Sequence, residues 1–580
     1  MFVLLAVLAF LPAAPWSSTT LFGCVCSDPP QQVWFLSWIP HVIMSGGNPF
    51  YSTLIDSPSG ANMLVNTSMM LLSLVLAPVT WLLGPVAAAN IGMRLAFAAS
   101  SVSAFVVLRR WNLCWPAAFV GGLMYGFSPY MIGQATAHLQ MAFVVVPPIW
   151  LFALERFLSR RWTARRTGLW LGVLAVIQFF ISVDVLASLL LMSVAGLVML
   201  AIIYRHDVKA RAADVLRVIG WAGLVSVPLL AFPAGYLLAG PGGSAGPQQS
   251  LASLDSLSAD LLSVVVPTRL QAFAPESWIA LGSSFVGGSV WENGEYLGIP
   301  LLLLLTGIVA WQRRSRLTIG VAAAGAAAFI LTLGPSLTVD GHATWVTLPF
   351  DVLSHLPLLR DELPIRYSLY VQLAAAVLIA IGLDRAVTFL WTTERDRERR
   401  VVGAVLLTAL CVAGLLPLLP ALPYEPVQTN APPFFAVDAA RDIPYESNVL
   451  IYPYPIFPND QAMLWQAASG LSFRLVGGYM YTKTTTGMVT LFPPTLSPAT
   501  VQLTFSDAFS GSGDQGLPPG TSQSEAANAL REFIGRYEIS AVVVVPIGVS
   551  PGTVVDIVEQ ATGTTPEHVG GVLLWRVGSS

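Results

Sequence analysis

Long apolar runs recur through roughly the first 420 residues, and they constrain the fold more than any other feature of the chain. A helix needs about 20 apolar residues to cross the hydrocarbon core of a bilayer, and α-helices satisfy their own backbone hydrogen bonds there. The sequence therefore predicts a polytopic α-helical membrane protein. Its twelve apolar runs are Met1–Ala14, Met69–Leu83, Val86–Leu108, Pro116–Gly133, Met141–Leu158, Gly168–Val183, Leu186–Tyr204, Val218–Leu238, Leu297–Trp311, Leu317–Leu333, Tyr367–Leu390 and Val401–Leu419.

The composition excludes several other classes of protein. Of 580 residues, 55% are hydrophobic and only 11% are charged, whereas soluble domains carry about 25% charged residues. A water-soluble protein of this size still needs a polar surface. The chain is therefore not expected to be a cytosolic enzyme, a nucleic-acid binder or a disordered protein.

Clusters of arginine orient the predicted spans. Five such clusters are each separated by two apolar runs, so all five can lie on the cytoplasmic side. This arrangement predicts about eleven transmembrane helices, with one run between residues 62 and 108 re-entrant or interfacial. The alternative is twelve crossings with an extruded N-terminus. The clusters are Arg109-Arg110, Arg160–Arg166, Arg205–Arg217, Arg313–Arg316 and Arg395–Arg400.

The same orientation divides the chain into two predicted domains. Residues 1–420 form the transmembrane domain, with outer loops at 15–65, 239–296 and 336–366. Residues 421–580 form an extracytoplasmic α/β domain, and the part from Tyr424 onward carries a net charge of −7. Its β-branched runs predict strands. The predicted strands are Asn448–Tyr452, Ala541–Val545 and Leu573–Val577, and the predicted helices are Ala526–Tyr537 and Gly552–Thr562.

The first outer loop contains the leading candidate for chemistry. Asp28 follows the first apolar run at the membrane surface, and Pro29-Pro30 restricts the backbone after it. A carboxylate held there can deprotonate an acceptor hydroxyl as a general base. Alternatively, Asp28 only caps a helix over Gln31–Met44. The aromatic stretch Val33–Met44 suits an interfacial helix.

Other candidate residues lie on the same outer side. Asp184 interrupts an apolar hairpin and is either a site residue or a solvated residue of the outer turn. His138 lies in a short outer turn and is either a site residue or a structural residue. Arg360 and Arg366 belong to a charged cluster that binds a phosphate, is paired internally or anchors the chain at the membrane interface. Glu292 and Glu295, near the end of the second loop, bind a sugar or hold that loop to the cluster.

The cysteines do not indicate a disulfide framework. Cys24 and Cys26 are separated by a single residue, which is too close for an unstrained bridge, so the favoured interpretation is small buried side chains. Cys114 and Cys411 lie at or in apolar segments.

The arrangement resembles the C-type glycosyltransferase superfamily (GT-C). An acid at the membrane edge, a helix after it, many spans and an outer C-terminal domain are shared features. Local strings similar to those of actinobacterial members are Asp28-Pro29-Pro30 with Trp34 and Trp38, Gly47-Asn48-Pro49-Phe50, Pro85 to Asn90, Glu295-Tyr296-Leu297-Gly298, Leu363-Pro364-Ile365-Arg366, Tyr452-Pro453-Tyr454-Pro455 and Gly477-Gly478-Tyr479.

The resemblance implies a transferase that moves a sugar from a polyprenyl-phosphate donor to an extracytoplasmic glycan or lipid of the cell envelope. It implies Asp28 as the base and Arg366 as a phosphate-binding residue, meeting in one pocket at the outer rim of the bilayer. Many members have paired acids in the first outer loop, whereas here the next acid is Asp56. This departure leaves open whether the chain needs a divalent metal and whether it is active, and no nucleotide cofactor or nucleic-acid partner is expected. The alternatives are a transporter or flippase for a lipid-linked saccharide, and a non-catalytic envelope assembly protein on the same scaffold.

Overall fold

A computed structural model describes the chain apart from a few short segments and one long one. The described residues are 1–580 without 26, 137, 204–210, 245–256, 357–361, 394–395, 458, 484–486, 492–521, 548–550 and 578–580.

Helices account for most of the described chain. They are α1 Phe2–Ala9, α2 Asp28–Ser45, α3 Met70–Leu83, α4 Pro85–Arg110, α5 Trp115–Gly126, α6 Pro129–Gln134, α7 Leu139–Ala142, α8 Val146–Leu158, α9 Ala164–Ile181, α10 Val183–Ile203, α11 Ala212–Ala239, α12 Glu276–Gly282, α13 Ile299–Trp311, α14 Arg316–Thr332, α15 Pro349–Ser354, α16 Ser368–Thr393, α17 Arg397–Leu415, α18 Ala439–Asp442, α19 Gln461–Ala468, α20 Gln523–Arg536 and α21 Pro551–Thr562.

Strands are short and fall mainly in the C-terminal part. They are β1 Thr20–Phe22, β2 Tyr51–Ser52, β3 Ala61–Asn62, β4 Ser336–Val339, β5 His342–Thr347, β6 Pro426–Gln428, β7 Asn448–Tyr452, β8 Arg474–Leu475, β9 Thr482–Lys483, β10 Val489–Thr490, β11 Ile539–Val544, β12 Glu567–Val569 and β13 Val572–Arg576.

Within the described residues, six helices are long and apolar enough to cross a membrane, and four more apolar helices of 10–17 residues accompany them. This confirms a polytopic helical membrane fold. The number of crossings, eleven or twelve, stays a prediction. The six long helices are Pro85–Arg110, Leu139–Leu158, Ala164–Ile181, Ala212–Ala239, Pro364–Thr392 and Arg397–Leu418.

Some predicted runs do not form continuous helices. The run Pro116–Gly133 is divided between α5 and α6, because the Ser128 hydroxyl accepts the backbone N–H of Met131 and starts a new helix at Pro129. Ser182 likewise separates α9 from α10. Periodicity alone does not show such breaks, because both halves remain apolar.

The chain separates into two compact units. The first contains Met1–Pro12, Met93–Leu229 and Ala252–Tyr424; the second contains Ala13–Gly92, Leu230–Leu251 and Glu425–Ser580. The second unit thus combines the first outer loop with the C-terminal residues.

A five-stranded sheet organises the C-terminal part of the second unit. Its strand order is β12-β13-β11-β7-β8, in which β11, β7 and β8 run parallel and β13 and β12 are antiparallel additions. Helices α20 and α21 cover it over a core that includes Leu450, Leu530, Phe533, Val544 and Ile557. The strands and helices predicted between residues 448 and 577 are confirmed to within a few residues.

Helix α2 differs from the interfacial helix that its aromatic residues suggested. Every residue from Pro29 to Pro40 is buried within the protein, including Trp34 and Phe35. Helix α2 packs against α3 and α19 of the same unit. The aromatic residues therefore form protein core over most of the helix.

The cysteine interpretation also needs a correction, because Cys24 is disulfide-bonded. Cys114 and Cys411 are free and half-buried, close to what the sequence indicated.

Candidate functional site

Asp28 is the first residue of α2, and its side chain is half-buried. The residue before it, Ser27, has a φ of 60°, an uncommon conformation for a residue with a side chain. The Ser27 hydroxyl donates a hydrogen bond to Asp28 Oδ2 at 3.2 Å. The carboxylate therefore stands in the first turn of the helix, where the helix dipole favours a negative charge.

A second carboxyl, that of Asp460, is near enough to Asp28 for the two to interact electrostatically, and neither of its oxygens has a hydrogen-bond partner among the described residues. Asp460 is the N-cap residue of α19, its side chain makes no capping hydrogen bond, and the residue is 0% exposed. Burial raises the pKa of Asp460 well above its usual value, and the nearby Asp28 carboxylate raises it further. Nearby backbone N–H groups, including that of Ser27, oppose this shift only in part.

Two hydrogen bonds fix α2 in place against the C-terminal residues. Trp34 Nε1 donates to Gln466 Oε1 at 2.7 Å, and Gln31 Nε2 donates to the carbonyl of Tyr479 at 2.5 Å. Gln466 is held in turn, because its Nε2 donates to the carbonyl oxygens of Leu54 and Phe473. A buried amide with all these partners satisfied fixes the register between the helices.

The Gly477-Gly478 pair allows Tyr479 to approach this region. A Cβ on Gly477 would lie 2.6 Å from the Tyr454 ring, and one on Gly478 would lie 2.6 Å from Ile55 Cγ1. Gly477 also has a φ of 103°, which favours glycine. Burial and the Asp28 carboxylate raise the pKa of Tyr479, so its phenol is uncharged.

Asp56, the second acid of the first outer loop, lies in the same unit but away from solvent. It is 0% exposed, and neither carboxyl oxygen has a hydrogen-bond partner among the described residues. Its backbone N–H donates to the Gly477 carbonyl at 3.1 Å. Burial raises the pKa of Asp56 to about 8.

In the first unit, two other candidate residues contact the guanidinium of Arg366. Arg366 Nη2 donates to Glu292 Oε1 at 3.0 Å, and Nη1 donates to Asp184 Oδ2 at 3.5 Å. The Glu292 side chain is 8% exposed, whereas that of Asp184 is 36% exposed. Glu362 also acts on Arg366 electrostatically.

The short helix α6 completes this cluster. Gln134 Nε2 donates to Glu292 Oε2 at 2.9 Å, and Gln134 Oε1 lies 2.7 Å from His138 Nδ1. A Cβ on Gly133 would collide with the carbonyl of Trp291, so a glycine there lets the loop that carries Glu292 reach α6. We call Arg366, Glu292, Asp184, Gln134 and His138 the arginine cluster.

Glu292 remains charged although it is buried. Burial by itself would raise its pKa, but Arg366 and then His138 outweigh burial and lower the pKa of Glu292 to about 2. Arg366 is thus paired internally, one of the two outcomes that the sequence left open, and Glu292 does hold its loop to Arg366.

Two further candidates remain, Glu295 and Arg360. Glu295 is fully buried, and burial raises its pKa to about 8, opposed in part by the hydroxyl of Thr332. Arg360 lies outside the described residues.

The acids do not assemble a metal centre in the part of the chain that the structure describes. No three His, Cys, Asp or Glu side chains there lie close enough together to hold an ion. Divalent cations prefer several charged oxygen ligands, whereas Asp460 and Asp56 are kept uncharged by burial.

Sequence reasoning missed Asp460 and Gln466. The signal for Asp460 was present, because an Asp directly before an apolar helix is a typical N-cap. Its proximity to Asp28 depends on tertiary packing between residues more than 400 positions apart, which a single sequence does not reveal.

Comparisons with solved structures place the fold. The chain aligns over its whole length with the arabinofuranosyltransferase AftD from Mycobacteria, at 16% identity and a TM-score of 0.54, and spans 39% of that protein. It is also similar to the Archaeoglobus fulgidus oligosaccharyltransferase (12% identity, TM-score 0.49, 97% of this chain and 70% of that one). ArnT from Cupriavidus metallidurans, bound to undecaprenyl phosphate, gives 11% identity and a TM-score of 0.47 over 100% of this chain and 98% of that one.

The fold assignment rests on AftD, the only one of these three with a TM-score above 0.5. The chain covers about two fifths of its length. The fold of the chain is therefore similar to that of AftD. A comparison with curated proteins finds no match.

A comparison with protein families gives one match. The profile described as "Domain of unknown function (DUF6311)" matches residues 3–360, more than half of the chain. The chain therefore belongs to the DUF6311 family.

Proposed function

We propose that this protein is a membrane glycosyltransferase that moves a sugar from a polyprenyl-phosphate donor to a glycan or lipid of the cell envelope. The observation that carries the proposal is the Asp28 carboxylate. It is half-buried at the start of α2, bonded to Ser27 and flanked by two uncharged side chains, Asp460 and Tyr479. The fold shared with an arabinofuranosyltransferase supports it.

In the proposed reaction Asp28 is the general base. The acceptor hydroxyl oxygen attacks the anomeric carbon of the donor sugar while its proton passes to the Asp28 carboxylate. The bond between the anomeric carbon and the phosphate oxygen breaks, and the polyprenyl phosphate leaves with the electron pair. Because the donor carries its own leaving group, the reaction needs no nucleotide.

Arg366 is the proposed partner of the donor phosphate. Its bond to the buried Glu292 is short, whereas its contact with the more exposed Asp184 is 3.5 Å long. We propose that the phosphate replaces Asp184 on Nη1 while Glu292 holds the other nitrogen. An arginine held in this way stabilises the charge that develops on the leaving phosphate.

The proposal includes a location. The protein acts in the bacterial plasma membrane with residues 421–580 outside the cytoplasm, where envelope acceptors are found. Since the similar AftD is an arabinofuranosyltransferase, a polyprenyl-phosphate arabinofuranose is the first donor to test.

The test is a transfer assay on the purified full chain in lipid nanodiscs, with polyprenyl-phosphate sugars and synthetic envelope glycans. Asp28→Asn keeps the shape of the side chain but cannot accept a proton, so kcat should fall by about 10²–10⁴-fold. Asp556→Asn, a change at an exposed carboxylate on α21, is the matched control and should leave kcat unchanged.

Two results would contradict the proposal. Full turnover by Asp28→Asn would remove Asp28 as the base. No transfer from any donor by the wild type, together with movement of a labelled lipid-linked saccharide between leaflets, would favour the transporter alternative.

A further inference from the structure

We infer that Gln134 is a positioning residue of the arginine cluster: through Glu292 it sets the direction in which Arg366 presents Nη1 to the phosphate of a lipid-linked donor. This inference rests on the proposed role of Arg366 in the transfer reaction. Gln134 is only 1% exposed, so it acts through its neighbours and does not touch the donor. It adds to the donor site a neutral residue that the sequence did not single out.

The Glu292 carboxylate is held at both of its oxygens. Oε1 accepts from Arg366 Nη2 at 3.0 Å, and Oε2 accepts from Gln134 Nε2 at 2.9 Å. The terminal torsion of a glutamate side chain is otherwise broad, so one bond alone would leave the carboxylate plane free to turn. Gln134 therefore fixes the plane of the carboxylate, and the carboxylate fixes the direction of the Arg366 guanidinium.

His138 fixes the orientation of the Gln134 amide. Gln134 Oε1 lies 2.7 Å from His138 Nδ1, and the His138 backbone N–H donates to the Gln134 carbonyl at 2.9 Å. An ionised carboxylate only accepts, so the amide must turn its NH₂ group towards Glu292 and its oxygen towards the imidazole. Nδ1 of His138 consequently carries a proton. A reversed amide would set oxygen against carboxylate, so only one orientation of the amide satisfies both neighbours.

Close backbone contacts on both sides of Glu292 hold its loop against α6. A Cβ on Gly133 would collide with the Trp291 carbonyl, and a Cβ on Gly294 would lie 2.7 Å from Tyr130 Cα. Only glycines at these two positions allow the loop to lie so near the helix. The backbone therefore holds Glu292 beside the last residue of α6, which is the glutamine.

The more exposed side of the cluster is that of Arg366 Nη1. This nitrogen lies 3.5 Å from Asp184 Oδ2, and the Asp184 side chain is 36% exposed, whereas that of Glu292 is 8% exposed. A phosphate that approaches from the exposed side meets Nη1. Because an arginine fork donates in fixed directions, the orientation set by Glu292 determines where a phosphate oxygen can be bound.

The binding experiment uses the purified full chain and farnesyl phosphate, a soluble polyprenyl phosphate, with farnesol as the probe that lacks phosphate. Gln134→Leu removes both hydrogen bonds of the amide without changing any charge. The dissociation constant for farnesyl phosphate should rise by about 10-fold, the effect of one lost hydrogen bond to a charged group. The dissociation constant for farnesol should not change.

A matched control separates this role from a loss of stability. Gln271 is likewise buried, and its amide oxygen accepts from the Thr268 backbone N–H at 2.8 Å and from the Thr268 hydroxyl at 3.1 Å. Gln271→Leu should lower the melting temperature as Gln134→Leu does, because each change leaves a buried polar group without its partner. It should leave the dissociation constant for farnesyl phosphate unchanged.

An arginine variant tests whether Gln134 acts through Arg366. Arg366→Lys keeps the positive charge, but a single ammonium group does not present a fork of fixed direction. In this background Gln134→Leu should change the dissociation constant for farnesyl phosphate by less than about twofold, because the two changes share one effect. In the transfer assay, Gln134→Leu alone should raise the KM for the donor and leave the KM for the acceptor unchanged.

Each contrary outcome has a distinct meaning. An unchanged dissociation constant for farnesyl phosphate in Gln134→Leu would remove the positioning role. Equal weakening of farnesyl phosphate and farnesol, or the same loss in the Arg366→Lys background, would make Gln134 a purely structural residue. Absence of farnesyl phosphate binding by the wild type would also overturn the inference. If the wild type binds farnesyl phosphate as expected but transfers no sugar, the proposed function fails and the phosphate site remains.

Discussion

One buried carboxyl group in the first unit, that of Glu292, is charged, whereas one in the second unit, that of Asp56, is protonated. In the first unit Glu292 is buried yet ionised, because Arg366 bonds to it at 3.0 Å and lowers its pKa to about 2. In the second unit Asp56 is equally buried, has no hydrogen-bond partner among the described residues, and its pKa is raised to about 8. The comparison shows that the nearest cation, rather than burial, decides whether an acid here carries charge.

Glu295 shows that the contrast does not depend on the unit. It lies three residues after Glu292 in the same loop and is also fully buried, yet its pKa is about 8. Within the described residues Glu295 forms no ion pair, whereas Glu292 pairs with Arg366. The two glutamates of one short loop thus reproduce the difference between the two units.

The largest expected effect on stability comes from removing the ion pair between Glu292 and Arg366. Glu292→Gln leaves the buried Arg366 without its short ion pair, with only Asp184 at 3.5 Å and Glu362 as counter-charges, and it should destabilise the protein by about 3–5 kcal/mol. Chemical denaturation of the full chain in detergent measures this loss.

The double variant Glu292→Gln/Arg366→Met provides the control. Because it removes both charges, it should be more stable than Glu292→Gln alone. Simple addition of the two single effects would mean that the pair is not coupled and that the comparison is mistaken.

Replacement of Asp56, which has no hydrogen-bond partner for its carboxyl among the described residues, should raise the stability of the protein rather than lower it. Asp56→Asn should stabilise the protein by about 2 kcal/mol at pH 8, because Asn has no proton to retain, although its buried amide offsets part of the gain. The wild-type carboxyl keeps its proton up to about pH 8, and an unfolded Asp releases it near pH 4.

The gain in Asp56→Asn should therefore grow from pH 4 to pH 8 and then level off. Melting curves at intervals of one pH unit follow it, with Asp556→Asn, exposed on α21, as the flat control. A gain that does not vary with pH would mean that Asp56 is already charged in the fold.

A smaller gain is expected within the first unit itself. Glu295→Gln should stabilise by about 1 kcal/mol at pH 8, less than Asp56→Asn because Thr332 already favours the charged form in part. Melting curves of Glu295→Gln and Glu292→Gln side by side should then shift in opposite directions. Shifts of the same sign would contradict the conclusion that a neighbouring cation determines whether a buried acid is charged.

The smallest effect concerns the half-exposed member of the arginine cluster. Asp184→Asn should change stability by less than about 1 kcal/mol, because this side chain is 36% exposed and its contact with Arg366 is 3.5 Å long. Raising the salt concentration should reduce even this effect in a denaturation experiment. A loss as large as that of Glu292→Gln would make Asp184 an equal partner of Arg366.

The fold was more accessible from sequence than the site. Apolar runs and β-branched stretches depend on local composition, so most apolar helices and the strands β7, β11 and β13 were predicted nearly in place. The membership of the arginine cluster was also within reach, since Arg366, Glu292, Asp184 and His138 all stood out as charged or titratable groups beside apolar segments.

Local composition does not indicate which of these groups are in contact in the fold. The pairing of Glu292 rather than Glu295 with Arg366 depends on the break before α6 and on the close approach at Gly133. The aromatic residues of α2 indicated a lipid interface, but the packing against α3 and α19 makes them core. The placement of Asp460 requires the same packing.

The bond between Trp34 and Gln466 joins residues 432 positions apart, and this has a consequence for biosynthesis. A ribosome adds about 5–20 residues per second, so the segment bearing Asp28 waits for on the order of half a minute before its partner helix exists. During that interval helix α2 of the nascent chain lacks the Gln466 amide that fixes its register. A polypeptide halted before residue 466 would lack the Gln466 side chain and therefore the hydrogen bond that joins it to Trp34.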